Sequence, residues 1–253
     1  MNMNDIILVK LGGNILEIKK NLANTISQLE ELIEKNLIIN KVVIIPGGGS
    51  KSNFIRFIDK KLEIGDDLAH WEAIYAMNWN GLQIHKTFPK IPFYSQISEL
   101  KDDLNKKNNR YPLIFLPFDY LYENDILPHS WNITSDSITI FIAKNLGLHE
   151  CFLIKNIDGI YDNNNQIIKE ISAKKYLEFI KLNKLANIGD EKEDFKKSQP
   201  IDPYSLKLID EYKIKCIILN GFYSKSRILE FFSEFSRKEK IYTEIHYSNS
   251  YNS

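Results

Sequence analysis

Cysteine is almost absent from this chain of 253 residues, and that absence narrows the chemistry first. The two that occur, Cys151 and Cys216, each sit inside an apolar run of strand length with no metal-ligand spacing around them. They read as free, buried structural thiols. An excess of charge of one sign is also lacking: 33 Lys plus Arg balance 33 Asp plus Glu, so no global field draws in nucleic acid or an anionic membrane. Any anion has to be held by local geometry. No apolar run approaches the roughly 18 residues of a spanning helix, and no basic segment precedes an apolar one at the N-terminus. Neither a membrane nor a nucleic acid is expected as a partner, and a cytoplasmic location is the expectation. The best-known glycine fingerprints are missing as well. No G-x-x-x-x-G-K-S/T occurs, and a G-x-G-x-x-G begun at Gly47 would need glycine where Ser52 stands, which argues against a P-loop or dinucleotide fold. Internal repeats are absent.

What is present is a strand-glycine-helix device, twice. Asp5 to Leu11 is an apolar run that carries Lys10 and ends in Gly12-Gly13; Lys41 to Ile45 is another, closed by Pro46-Gly47-Gly48-Gly49. Without Cβ atoms the backbone there can bend sharply and aim N–H groups at an anion, and the helix that follows points its positive end at the same spot. Each cluster alone is equally an ordinary turn; together they suggest two phosphates side by side. Helical spacing follows both, with Leu22, Ile26, Leu29 and Ile33 on one face of a helix over 14–36, and Phe54, Ile55, Ile58 and Leu62 on one side of the next. Arg56 lies on that second helix, either as a solvated charge or as a planar fork reaching back to a phosphate.

Residues 66–79 form a helix rich in aromatics. Leu68, Trp71, Tyr75 and Trp79 share a face, which suits core packing or a wall for a ring-bearing substrate. A short strand at Phe93-Tyr94, a polar helix or loop over 98–109 facing water, and a strand over 111–117 come next. Pro128 to Ser137 crowds His129, Asn132, Thr134, Ser135 and Asp136 ahead of another helix. The stretch suits a plain helix start with Thr134, Ser135 or Asp136 as N-cap; one cap uses one side chain, so the surplus polar groups also suit a site, where a carboxylate can orient lysines or a magnesium ion between phosphates. His129 also suits a satisfied buried histidine.

The second half repeats the theme. Cys151 to Ile154 is a strand, Lys155 to Tyr161 a turn containing Asp158-Gly159, and residues 187–200 a mobile surface loop with Lys196 and Lys197 facing solvent. Helices over 172–182, 204–212 and 225–235, a strand over 215–220 and an edge strand over 241–247 complete the chain, with Ile228, Leu229, Phe232 and Phe235 inward and a frayed tail. Six or seven strands separated by helices make an α/β protein with a mainly parallel sheet, in which ligands bind beyond the carboxyl ends of the strands. A 43% hydrophobic content supports one large domain or two joined lobes.

The order Lys10-Leu11-Gly12-Gly13, Gly47-Gly48-Gly49, Asn132-Ile133-Thr134-Ser135-Asp136 and Asp158-Gly159-Ile160-Tyr161 resembles the amino acid kinase superfamily over nearly the whole chain. More narrowly, Pro128 to Trp131 and Ala69-His70-Trp71 look like the branch containing the (5-(aminomethyl)furan-3-yl)methyl phosphate kinase of methanofuran biosynthesis. The resemblance implies a three-layer α/β/α fold, an acceptor lobe over 1–147 and a nucleotide lobe over 148–253. It implies ATP and Mg2+ as cofactors, a small phosphorylated acceptor, and a homo-oligomer. Lys10 would bridge the phosphates, Asp136 would organise the lysines, and Lys207 is the candidate second lysine. Gly12, Gly13, Lys155, Asp158, Gly159 and Tyr161 would lie along the nucleotide. Gly47, Gly48, Gly49, Arg56, Trp71, His129, Asn132 and Thr134 would meet the acceptor; no side chain is expected to ligate a metal directly. Two departures from the family pattern stand out: Lys155-Asn156 replaces Thr-Asp before the Asp-Gly turn, and Tyr242-Thr243 replaces a glycine-threonine. Isopentenyl phosphate kinases carry a histidine where this chain has Ser50-Lys51-Ser52-Asn53, which disfavours that substrate class. A carboxylate kinase of the acetylglutamate or aspartate type and a non-catalytic nucleotide or oxyanion binder stay open as alternatives.

Overall fold

Every residue of Ile6–Leu11 (β1) and of Lys41–Pro46 (β2) is buried, the mark of strands covered on both faces rather than one. The computed structural model describes residues 5–35, 39–106, 110–186, 199–234 and 236–248. After β1 come α1 (Gly13–Leu16) and α2 (Lys19–Lys35); after β2 come α3 (Gly49–Leu62), α4 (Asp66–Thr87), β3 (Phe93–Tyr94), α5 (Ile97–Leu104), β4 (Tyr111–Phe115) and α6 (Phe118–Glu123). Then follow α7 (Ser135–Leu146), β5 (Glu150–Lys155), a two-stranded hairpin of β6 (Ile160–Tyr161) and β7 (Ile167–Ile168), β8 (Glu170–Ser172), α8 (Ala173–Lys181), α9 (Pro203–Tyr212), β9 (Lys215–Asn220), α10 (Arg227–Phe232) and β10 (Thr243–His246).

The main sheet has eight strands in the order β3-β4-β2-β1-β5-β9-β10-β8. Its first six strands are parallel; β10 runs antiparallel to β9 and parallel to β8. Alternation along each strand splits the core in two. Leu8, Val43, Leu113 and Leu153 pack on one side with α4 to α9, while Val9, Ile44, Ile114 and Phe152 pack on the other with α1, α2 and α10. The result is the expected three-layer α/β/α arrangement. Because β1 pairs with β5, the sheet runs without a break across the position where the two lobes were expected to divide.

Several expectations shift. The helix over 14–36 is two helices, α1 and α2, although Leu22, Ile26, Leu29 and Ile33 are buried on one face as read. The apolar residues of α3 do not reach the core: this helix buries none, and Phe54 and Leu62 are 61% and 71% exposed. Leu68, Tyr75 and Trp79 of α4 also face outward, because Ala69, Ile74 and Met77 occupy its buried side. The segment after Ser98 is not simply polar, since α5 buries Leu100 and Leu104. The strand near 241–247 is not an edge, because β8 pairs beyond it. The loop expected over 187–200, with Lys196 and Lys197, falls outside the described residues except for its last two positions, as do Phe235 and the tail beyond Ser248.

Candidate active site

The two glycine turns touch. Gly12 N–H donates to Ile154 O at 2.9 Å and Gly47 N–H to Leu11 O at 2.9 Å, so the ends of β1, β2 and β5 are stitched together where they leave the sheet. A Cβ on Gly13 would lie 2.8 Å from Gly49 Cα, too close for any side chain. Gly49 itself sits at φ +60°, where glycine avoids the Cβ penalty. From α4, Asn80 Nδ2 donates to both Gly47 O (2.8 Å) and Gly48 O (2.9 Å), and Lys51 Nζ donates to Asn80 Oδ1 at 2.8 Å. The second turn is thereby fixed by its carbonyls. Gly48 has no side chain to cap α3, and the Glu17 carboxylate takes that place, accepting from Ser50 N–H in the first turn of the helix.

Between the turns stands a buried charge cluster. Asp136, in the first turn of α7, lies 2.9 Å from Lys10 Nζ by Oδ1 and 2.8 Å from Lys155 Nζ by Oδ2. Burial alone would raise its pKa, but the two ammonium groups outweigh that and hold it down at about 2. Burial lowers the Lys10 pKa below its ordinary 10.5, an effect that Asp136 opposes and Lys155 reinforces. The helix start is braced by a residue that the sequence presents only as the opening of a later helix. Asp202 accepts from Thr134 Oγ1 (2.6 Å) and Ser137 Oγ (2.6 Å), and also from Ser205 N–H (2.7 Å) as the N-cap of α9. Those contacts join segments 65 to 68 residues apart, and no local pattern announces them.

Two chambers meet at this cluster. One, of about 370 Å³, is walled by the second glycine turn, Ser52, Asn53, Arg56, side chains of α4 including His70, Trp131, and Ile133 to Asp136. The other, of about 200 Å³, is walled by Gly12, Gly13 and Ile15 on one side and Lys155 to Ile157 on the other. Lys10, Gly13 and Lys155 belong to both. Arg56 lies in the larger chamber with its guanidinium 4.7 Å from the Trp131 ring centre, and Trp131 Nε1 donates to Asp59 Oδ2 at 2.7 Å.

The structure brings Lys10, Gly12, Gly13, Gly48, Gly49, Arg56, Thr134, Asp136 and Lys155 to these chambers. Gly47 backs them, its missing Cβ leaving room 3.2 Å from Lys10 Cε. Other candidates lie elsewhere. Lys207 is exposed on α9, its amine 5.2 Å from the Tyr204 ring centre. Trp71 packs edge-on against His70, Phe118 and Tyr122, one helical step away from the chamber wall. His129 is held between Asp67 and Asp125 behind that wall, and Asn132 faces solvent. Asp158 binds Arg227 Nε at 3.0 Å, Gly159 (φ +151°) makes room for Thr243 Oγ1, and Tyr161 starts the hairpin, so none of the three walls a chamber. His70, Asp66 and Ser52, absent from the sequence reading as site residues, do line the larger one.

The model of the amino acid kinase family matches residues 5–220. The chain is 32% identical over 238 residues, 94% of its length and 96% of the relative's, to the (5-(aminomethyl)furan-3-yl)methyl phosphate kinase of Methanocaldococcus jannaschii. It is 22% identical to the uridylate kinase of Sulfurisphaera tokodaii, over 85% of this chain and 89% of that one. The crystal structure of UMP kinase from Ureaplasma parvum superposes with a TM-score of 0.63 at 19% identity, covering 96% of this chain and 99% of the other. Two glycine turns in contact, a lysine pair around a buried carboxylate and a family match across most of the sheet lead to one conclusion: this chain belongs to the amino acid kinase family and is a phosphotransferase.

Proposed function

We propose that the chain transfers the γ-phosphoryl group of ATP to a small phosphorylated acceptor, (5-(aminomethyl)furan-3-yl)methyl phosphate, yielding the diphosphate. The observation that carries this reading is the pair of chambers opening onto one Lys10–Asp136–Lys155 cluster. In this reading the larger chamber, built mostly from residues before Gly147, takes the acceptor, and the smaller one, between the end of β1 and the chain after β5, takes the triphosphate. The acceptor itself is taken from the relative in M. jannaschii.

An acceptor phosphate oxygen is already anionic, so transfer needs no general base. That oxygen forms a bond to the γ-phosphorus as the bond from phosphorus to the β–γ bridging oxygen breaks, and the electron pair leaves on ADP. The work left to the protein is alignment and charge neutralisation. Lys10 stands where the two phosphates would meet, Gly13 and Gly49 bring backbone within reach of both, and Arg56 offers a planar fork to the acceptor phosphate. Asp136 keeps Lys10 and Lys155 from repelling each other and aims both inward. Among the described residues no group of three metal-ligating side chains occurs. The one central carboxylate is engaged with two lysines, so the residues fit magnesium carried on the phosphates of the nucleotide. Bound there, it would neutralise charge between the β- and γ-groups.

The reading extends to a cytoplasmic enzyme of methanofuran biosynthesis; among the described residues no helix is long and apolar enough to cross a membrane. It includes a homo-oligomer, supported by the uncovered Phe54, Tyr75 and Trp79 on α3 and α4, and sedimentation velocity would test it. The function is tested by ADP release with magnesium-ATP and a panel of acceptors. Turnover on the aminomethylfuran phosphate, with none on UMP, aspartate or N-acetylglutamate, is expected. Turnover on a carboxylate alone would replace the reading with an acyl phosphate kinase, and binding of ATP with no turnover would replace it with a nucleotide binder.

A further inference from the structure

The larger chamber holds a buried polar side chain that phosphoryl transfer does not use. His70, in the second turn of α4, is 8% exposed and lines the chamber, and it makes no hydrogen bond to any described residue. Its ring nitrogens are not among the sealed, unpartnered polar atoms of the described residues, so they are open to the chamber, where a ligand can meet them. Its setting is built. The His129 ring stacks on it at 4.3 Å between centres and 19° between planes, and Trp71 packs edge-on against both, at 5.0 and 5.1 Å. His129 is fixed in turn by Asp67 Oδ1 at 2.6 Å from Nδ1 and Asp125 Oδ1 at 2.8 Å from Nε2.

That clamp decides the charge of both rings. With a carboxylate on each nitrogen, His129 favours the imidazolium form, which donates twice. Burial and the charged ring stacked against it push His70 down to about 4. His70 is therefore neutral at ordinary pH and carries one N–H and one lone pair. The chamber carries charges of both signs: Lys10, Lys155 and Arg56 supply cationic groups, and Asp66 lines the wall with His70, behind which Asp67 and Asp125 hold His129.

We infer that His70, oriented by the carboxylate-clamped His129, is a specificity-determining residue: its ring nitrogen accepts a hydrogen bond from a primary ammonium group at the end of the acceptor remote from the phosphate, with Asp66 supplying the counter-charge. The substrate class follows: a phosphate monoester that also bears an amine. The inference rests on the proposed kinase activity toward phosphorylated acceptors and adds to it which side chains read the acceptor's other end. A ring nitrogen that meets the amine finds no such donor on the analogue that lacks it, and discrimination follows from that lost hydrogen bond.

The test compares the aminomethyl acceptor with its methyl analogue, same ring and phosphate without the nitrogen, in the wild type and in His70→Leu, His70→Gln and Asp66→Asn. Melting temperature is followed for each. The expected result is at least a tenfold preference of the wild type for the amine in kcat/KM. His70→Leu should shrink that preference at least tenfold, mainly through KM, and His70→Gln should restore part of it. Asp66→Asn, at an exposed position that threatens folding little, should also erode it. Equal losses on both acceptors would reduce His70 to a structural role, and a wild type indifferent to the amine would overturn the inference while leaving the kinase reading intact. No turnover on any phosphorylated acceptor would remove the reading beneath it and the inference with it.

Discussion

The two chambers that meet at Lys10 are walled by different materials. The smaller is bounded largely by turns, Gly12-Gly13 on one side and Lys155 to Ile157 on the other. The larger is bounded by side chains from α3, α4 and the stretch leading into α7. Backbone amides and a lysine hold any polyphosphate of the right length, since they recognise charge and spacing alone. Side chains discriminate, because each can be left unpaired or in collision by the wrong ligand. The contrast explains how one fold serves phosphate donors that its members share while accepting different second substrates. On the proposed function, the discriminating wall of this chain would be the one with Arg56, Trp131, Asp66 and His70.

Breaking the shared centre should have the largest effect. Lys10→Ala is expected to lower kcat about 100- to 1,000-fold, the scale seen for removing one donor to developing charge, with acceptor KM changed only a few-fold. Near-normal turnover in a single-turnover assay would take Lys10 out of the chemistry. Its pKa is lowered from 10.5, so Lys10 loses its proton at a lower pH than a free lysine and kcat should fall as pH rises below that value. Lys10→Arg, permanently charged, should abolish that limb whatever its residual rate.

Next comes the carboxylate that serves both chambers. Asp136→Asn leaves two buried ammonium groups facing each other, and breaking a buried ion pair on one side costs about 3–5 kcal/mol; denaturant unfolding would measure it. Asp136 has a native pKa of about 2 against an ordinary 3.8. Its contribution to stability is thus complete above about pH 4 and is lost as pH falls from there through 2. The wild type should show that acid slope and Asp136→Asn should lack it.

A smaller effect should come from prying the chambers apart. In Gly13→Ala the new methyl would sit 2.8 Å from Gly49 Cα, so the turns must separate by a few tenths of an ångström or more. Overpacking of this sort costs about 1–3 kcal/mol. A lower melting temperature together with a raised KM for both substrates is expected; a change for one substrate only would show that the turns act independently.

The sheet was legible in the sequence because its strands are buried on both faces, so apolar runs such as Val42 to Ile45 stand out without any periodicity. The glycine turns and Asp136 were legible because their signal lies within ten residues. What was not legible depends on partners distant in the chain. Asp202 braces α7 only because α9 packs beside it, and β10 is interior only because β8 pairs beyond it. On α4 the aromatic stretch suited either core packing or a wall for a ring-bearing substrate, but the face that reaches the chamber is set by how the helix packs on β2 and α6. A rotation of one residue, about 100°, exchanges Trp71 for His70. The outward apolar side of α3 reads locally like any amphipathic helix, and only the missing neighbour marks it as uncovered.

The lysines of the second half give the last and smallest expected effect, and with it the sharpest contrast. Lys155 and Lys207 both present an amine in sequence, but Lys155 ends β5, lies 2.8 Å from Asp136 and lines both chambers. Lys207 projects from the exposed side of α9 over Tyr204. An exposed amine over a tyrosine ring contributes at most about 1 kcal/mol, and nothing connects it to the charge cluster. Lys207→Ala should leave kcat and both KM values within about twofold of wild type and shift stability by less than that amount. Lys155→Ala should depress kcat and leave Asp136 with one cation in place of two. A steady-state comparison of the two variants, made at one pH and one magnesium concentration, decides which lysine stands beside the transferring group; a large loss in Lys207→Ala would mean that α9 swings toward the cleft when substrates bind.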